Sequence, residues 1–171
     1  MTRQSALFGY LAGIIDGEGS LMIKRTIRPD CVNPCYFTRV SVKNVNEEVL
    51  KLMQKTFGGS VRQDPKIYRS VSGFAGRHRM WVYDTHDRAA TRLVRSLVPY
   101  LIIKREQAHV LLKLAELKQR PHALTRTKIT GYRELRGIHG QKIRMPALAY
   151  SEEHMAQCEA LYEEVKRLNN R

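Results

Sequence analysis

From Ser5 to Asp16 the chain reads SALFGYLAGIID, and it then changes abruptly to Gly17-Glu18-Gly19-Ser20. The run contains no proline and starts at a serine that can cap a helix. Wound as a helix, it is apolar on two sides. Ala6, Gly9, Ala12 and Gly13 form a stripe of small residues, and Leu7, Leu11, Ile14 and Ile15 form a stripe of large ones. A helix that is apolar on both sides has to be covered on both. The large stripe can enter the chain's own core. The small stripe lets a second helix backbone come close, as small-x-x-x-small pairs do. Any fold built on this helix leaves two acids, Asp16 and Glu18, at its end, and GEGS has the chemistry of a turn that closes it.

The remaining pattern predicts an α+β domain. Residues 20–25 alternate and read as a strand, and residues 35–44 read as a second one. On the second, Tyr36, Thr38, Val40 and Val42 share one face, with Phe37, Arg39 and Ser41 on the other. Asn46 caps a helix over 47–57, stopped by Gly58-Gly59. Strands over 60–64 and 79–85 flank a polar tip, 66–78. Helices follow at about 87–98 and 103–118, with Pro99 between them. The order is α-β-β-α-β-β-α plus a further helix. Residues 119–150 show little periodicity and read as an irregular basic segment. Residues 151–168 read as a final helix with a Ser-x-x-His start and Leu161, Val165 and Leu168 at helical spacing. The expected organisation is a core over 1–118, with 119–171 packed on the same domain. There is one GEG turn and no internal repeat.

The chain has 171 residues, a formal net charge of +14 and 43% hydrophobic residues, which suits one folded domain. The charge is uneven. Residues 61–105 carry 10 basic and 3 acidic side chains, whereas residues 151–171 carry 3 and 5. A basic excess confined to the middle of the chain points to a polyanion partner, in the first place nucleic acid. It does not separate DNA from RNA, because phosphate contacts carry no sequence information. No apolar run reaches the length of a membrane span, so no membrane partner is expected. The first residues lack the flanks of a secretory signal. The expectation is a soluble intracellular protein, of the cytoplasm or an organelle matrix. Cys31, Cys35 and Cys158 suit reduced structural thiols better than a disulfide framework or a zinc site.

The stretch Leu11-Ala12-Gly13-Ile14-Ile15-Asp16-Gly17-Glu18-Gly19-Ser20 resembles, nearly residue for residue, the motif of the LAGLIDADG homing endonucleases. Gly58-Gly59-Ser60 before a strand and PYLIIKREQAHVLLKLAEL at 99–117 are similar to that family at the expected distances. The resemblance covers residues 5–117, and more loosely the last helix. One motif per chain resembles the homodimeric type, with Gly9, Ala12, Gly13 and Asp16 at the dimer interface. The resemblance implies an intron-encoded, site-specific endonuclease that makes a double-strand break in a long pseudo-palindromic duplex.

The same resemblance implies the site. Glu18 stands where the family holds its metal, with the Gly17 carbonyl beside it. Glu here replaces the more frequent Asp, and its longer side chain bears on metal position. Carboxylate and carbonyl oxygens suit Mg²⁺. Mn²⁺ is expected to substitute, and Ca²⁺ to bind without supporting cleavage. Lys104 stands where the family brings a basic group to the scissile phosphate, and Asn44 where it has a polar side chain on the water network. Glu47 and Glu48 lie where some members have an arginine.

The resemblance further implies a curved antiparallel sheet in the major groove, which admits a two-stranded ribbon. The candidates for DNA contact are Met22, Lys24, Thr26 and Arg28, then Phe37, Arg39 and Ser41, then Arg62, Asp64, Arg69, Arg77 and Arg79. Trp81 is expected in the core, and His78 and His86 at the surface. Two other readings use the same fold: an RNA-binding intron maturase and a catalytically silent DNA-binding regulator. Glu18 and Lys104 favour the enzyme over the regulator.

Overall fold

The structure is a computed structural model that describes residues 2–27, 33–64, 79–119, 126–136 and 140–170; of 126–136 and 143–148 it describes the backbone only. Five helices and six strands follow in the order α1 (Arg3–Glu18), β1 (Gly19–Thr26), β2 (Cys35–Asn44), α2 (Glu47–Phe57), β3 (Ser60–Gln63), β4 (Trp81–His86), α3 (Asp87–Leu97), α4 (Arg105–Gln119), β5 (Arg126–Arg136), β6 (Lys142–Tyr150) and α5 (Glu152–Asn169). Strands β1 to β4 form one antiparallel sheet in the order β1-β2-β4-β3. This is the α-β-β-α-β-β-α order expected from the pattern, with helices added after it.

The sheet has one dry side. Its register pairs Leu21 with Val40, Ile23 with Thr38 and Val42 with Tyr83, and all six are buried. Against that side the helices bring Leu11 and Ile15 of α1, Leu50 and Met53 of α2, Leu93 and Leu97 of α3, and Leu111 and Leu114 of α4. Truncating any one of these leucines to alanine removes a fully enclosed side chain, a loss of about 2–5 kcal/mol. Helix α5 joins the same core through Cys158, Val165 and Leu168. It also closes the sheet's outermost strand: Asn169 Nδ2 donates to Leu21 O at 2.9 Å, and Glu159 accepts from Tyr36 Oη and pairs with Arg25. A covered edge cannot template pairing with another chain.

Local signals were mostly legible. Asn46 Oδ1 caps α2 by accepting from Glu48 N and Val49 N, and Ser151 caps α5 by accepting from His154 N. Each such cap contributes about 1 kcal/mol. Gly58 and Gly59 stop α2 at φ +81° and +97°, and a Cβ at Gly59 would sit 2.8 Å from Asp84 O.

Three expectations need correction. Thr2, not Ser5, caps α1; its side chain accepts from Ser5 N, and the helix begins two residues early. The GEGS stretch is not a turn. α1 runs through Glu18 and β1 begins at Gly19, where a Cβ would lie 2.6 Å from Ile15 O. Gly19 is thus required by close backbone packing at an abrupt helix-to-strand junction. Finally, the segment expected to be irregular contains a hairpin, β5 paired antiparallel with β6. Register shifts between Arg126 and Lys128 and between Ile129 and Gly131 break the two-residue alternation that marks a strand in sequence.

Candidate active site and nucleic-acid face

Helix α1 ends beside the turn that leads into α4, and the two are locked together. The Asp16 carboxylate accepts Ile102 N at 2.8 Å on one oxygen and Lys104 N at 2.9 Å on the other. Lys104 returns the tie: its Nζ donates to Ile15 O at 3.0 Å and Asp16 O at 2.6 Å. Asp16 O is among the carbonyls at the helix C-terminus, where a cation is favoured, and Ile15 O also accepts the Gly19 N–H. Lys104 lies just before α4 rather than in its first turn. Burial lowers the pKa of its ammonium, opposed by the charges of Asp16 and Glu18.

Glu18 is the last residue of α1 and is exposed, as is Gly17 before it. A Cβ added at Gly17 would meet nothing within 4 Å, so the chain there is open to an incoming ligand. Among the described residues no group of three or more His, Cys, Asp and Glu side chains could hold a metal. One chain offers one open carboxylate with backbone oxygens beside it. That all-oxygen set fits Mg²⁺, which keeps several waters and takes further ligands from phosphate.

The candidates at the helix face separate. Gly13 is exposed with open space around it, and Gly9 faces Tyr100, whose Cδ1 would be 4.0 Å from an added Cβ. Ala12 is fully buried inside its own chain, so its assignment to a dimer interface is corrected: α1 turns Ala12 inward together with Leu11 and Ile15. The Asp16 carboxylate is engaged within the chain by two backbone N–H groups. Asn44 ends β2, and its Oδ1 accepts Asn46 N at 2.8 Å, a turn that launches α2.

The other side of the sheet is the polar one. Met22 pairs with Arg39, Lys24 with Phe37, Ser20 with Ser41, Arg39 with His86, Ser41 with Asp84 and Ser60 with Asp84. Directly paired residues share a face. Met22, Lys24, Thr26, Phe37, Arg39, Ser41 and Arg62 therefore lie on one surface, as expected. Phe37 stands edge-on to His86, ring centres 5.8 Å apart. Asp64 shares this face but is 9% exposed, held by Lys43 Nζ at 2.9 Å. Its expected contact with a base is corrected to support of a neighbouring cation. Asp64 N donates to Met80 O at 2.8 Å, which extends the ladder and gives Met80 the outer parity and Arg79 the other. Arg79 is exposed but does not line up with Arg62. Arg28, Arg69, Arg77 and His78 lie outside the described residues. Trp81 is half-buried against the core, and His86 is exposed.

Asp84 went unrecognised in the sequence. It is 7% exposed on the polar face, Arg39 Nε donates to its Oδ1 at 2.7 Å, Arg39 Nη2 reaches Oδ2, and Arg62 Nη2 lies 3.7 Å away. The only signal for it was the parity of β4, which a polar tip of unknown register obscured.

No protein-family model and no curated protein matches this chain. Solved structures do. The homing endonuclease I-CvuI, in complex with its target in the presence of Ca, superposes with a TM-score of 0.64 at 17% identity, over 96% of this chain and 83% of that one. The archaeal intron-encoded homing endonuclease I-Vdi141I, complexed with DNA, gives 0.64 at 15% identity, over 97% and 86%. The LAGLIDADG homing endonuclease I-SmaMI, bound to cleaved DNA, gives 0.56 at 15% identity, over 91% and 42%. The chain has the LAGLIDADG homing endonuclease fold.

Proposed function

We propose that this chain is a divalent-metal-dependent endonuclease that binds duplex DNA as a homodimer and cuts both strands of a long pseudo-palindromic site. The observation that carries this reading is one place in the fold. At the end of α1 an open carboxylate, Glu18, stands next to a half-buried ammonium, Lys104, and the following residue begins the strand whose outer side is polar.

The exposed Glu18 carboxylate and the Gly17 carbonyl would hold Mg²⁺. When bound, that ion supplies charge neutralisation at phosphate and a more acidic water. The chain's own groups do the rest. Lys104, fixed by two carbonyls, keeps a positive charge where negative charge develops on a phosphoryl group. Asn44, its Oδ1 engaged in a turn, would offer Nδ2 to ordered water. Arg39 and Arg62 present guanidinium forks that suit guanine, and Lys24 suits phosphate.

One chain carries one such helix end, whereas a double-strand break needs two. The exposed strip of α1 that includes Tyr10 and Gly13 is where a second copy would pack, related by a two-fold axis that also explains a pseudo-palindromic target. Exposure of Glu18 argues against a silent regulator, because an idle carboxylate near phosphates would only weaken binding. The test is to incubate the purified chain with a duplex library and Mg²⁺ and to sequence the cut ends. Paired cuts at one recurring site support the reading. Random nicks, or no cuts with any divalent ion, overturn it.

A further inference from the structure

On the helical side of the sheet, between α3 and α4, lies a cleft of about 650 Å³. Its lining includes Thr38, Thr91, Arg88, Arg92, Arg95 and Lys118. Thr38 belongs to the buried side of β2, paired with Ile23, so the cleft opens on the opposite side of the sheet from Arg39. Whatever occupies it is not the duplex lying along the polar face.

The charge of the cleft is one-sided. Arg88, Arg92 and Arg95 are exposed and stand four and three residues apart on α3, which puts them on one side of the helix. Among the described residues the one carboxylate in the lining, Asp87, is already paired with Lys118 Nζ at 2.6 Å. Arg92 Nη2 makes a long bond to Phe57 O at 3.4 Å. Among the described residues, Arg88 and Arg95 have no ion-pair or hydrogen-bond partner. Like charges at such spacing repel one another and weaken the helix. An anion lying along the stripe removes that penalty. Three arginines in place of lysines favour phosphate, which their planar forks grip two bonds at a time.

The backbone is shaped to hold the cleft. β4 passes into α3 with no linker, at Asp87, whose φ of +45° is the left-handed conformation that aspartate tolerates better than most residues. Asp87 O accepts Thr38 Oγ1 at 3.3 Å, fixing the first turn of α3 against β2. The stripe therefore starts at a junction tied to β2 by that bond.

We infer that this cleft is a second nucleic-acid site, which takes the sugar–phosphate backbone of a single strand. A space of 650 Å³, roughly 9 Å on an edge, is too small to admit a duplex, which is wider than its own major groove of about 12 Å, whereas one sugar–phosphate strand can enter it. Among the described residues no aromatic side chain lines it, so the lining holds the backbone rather than stacking bases, and the binding is indifferent to sequence. Three phosphates engaged give a salt slope of about −2 on logarithmic axes.

The test uses the full chain and 12-nucleotide fluorescent single strands, RNA and DNA, read by anisotropy over a salt series. The wild type is compared with Arg88→Glu/Arg95→Glu and with Arg39→Glu. The expected result is a loss of at least tenfold in single-strand affinity for the first variant, with duplex binding within twofold of the wild type. Arg39→Glu should do the reverse. Circular dichroism checks that both variants fold. Equal affinity for RNA and DNA marks phosphate as the recognised group, and binding of only one adds the sugar. The proposal is overturned if the double variant binds single strands as the wild type does. It is also overturned if duplex DNA displaces the single strand mole for mole, which would mean one shared site. The outcome is independent of whether the chain cleaves DNA.

Discussion

The guanidinium of Arg39 lies along the carboxylate of Asp84, Nε on Oδ1 and Nη2 on Oδ2, across the two central strands of the sheet. Two of its nitrogens are thus committed, and Nη1 stands outside the pair. A nearly buried acid that aims an arginine in this way narrows what the arginine can read. Asp84→Asn should therefore lower discrimination at one or two base pairs per half-site, by about 1–3 kcal/mol each. Affinity for unrelated DNA should rise, because a negative charge near phosphates is gone. Competition binding over singly substituted duplexes measures both, and unchanged preference at every position would show that Asp84 aims nothing.

Glu18→Gln should leave binding nearly intact and abolish cleavage. The substitution preserves shape at an exposed helix end, so nothing in the core moves. It removes the anionic oxygen that suits Mg²⁺. Ca²⁺ should support binding by the wild type with little cutting, and Mn²⁺ should replace Mg²⁺. Gel shifts and cleavage time courses on one duplex check this. Full cleavage by the variant would place the metal site elsewhere, and Asp16 is a poor substitute because both its oxygens already accept backbone N–H groups.

Gly13→Leu separates assembly from folding. The position is exposed, and an added Cβ meets nothing within 4 Å in the isolated chain. The variant should melt within a few degrees of the wild type yet sediment as a monomer and lose double-strand cleavage. Ala12→Leu should instead unfold the chain, since Ala12 has no exposed surface. A Gly13→Leu protein that remains dimeric and active would move the interface off α1.

Lys104 gives a pH signature. Burial lowers its pKa below the ordinary 10.5, so the unfolded chain binds more protons than the folded one just below that value. Stability then rises with pH across that window. Relative to Lys104→Met, which has no such titration, the wild type should gain stability as pH climbs toward 10.5. Denaturant midpoints of both proteins over an alkaline series measure this. On the activity side, Lys104→Ala should slow cleavage more than it weakens binding.

The parts of this fold that read well from sequence are those where one local signal decides. Asn46 and Ser151 cap helices because their side chains reach the next backbone N–H groups, and Gly58-Gly59 ends α2 because the chain needs positive φ there. β2 was exact to the residue, since strict alternation from Tyr36 to Val42 leaves no other face to bury. What failed needed partners distant in sequence. Ala12 looks like one more member of a small stripe until it is found fully buried in the chain's own core. Asp16 looks like a free acid until the turn before α4 delivers two N–H groups to it. Asp84 and Asp64 become supports only when β2 brings Arg39 and Lys43 to them, Arg39 from the strand beside Asp84 and Lys43 from two strands away from β3. The hairpin after α4 was hidden by its register shifts.

The junction at Gly19 has a mechanical consequence. Glu18 ends a helix and Gly19 begins a strand, with no slack between them. Ser20, the first exposed residue of β1, is two residues from the acid. On the proposed reading the chain would carry its own ruler: the distance from the cut to the bases read would be set by bond lengths and not by a flexible arm. One residue inserted there would also turn β1 over and send Leu21 and Ile23 to the wet side. Substitutions on the outer face of the sheet leave this joint untouched, whereas lengthening it would rebuild the sheet.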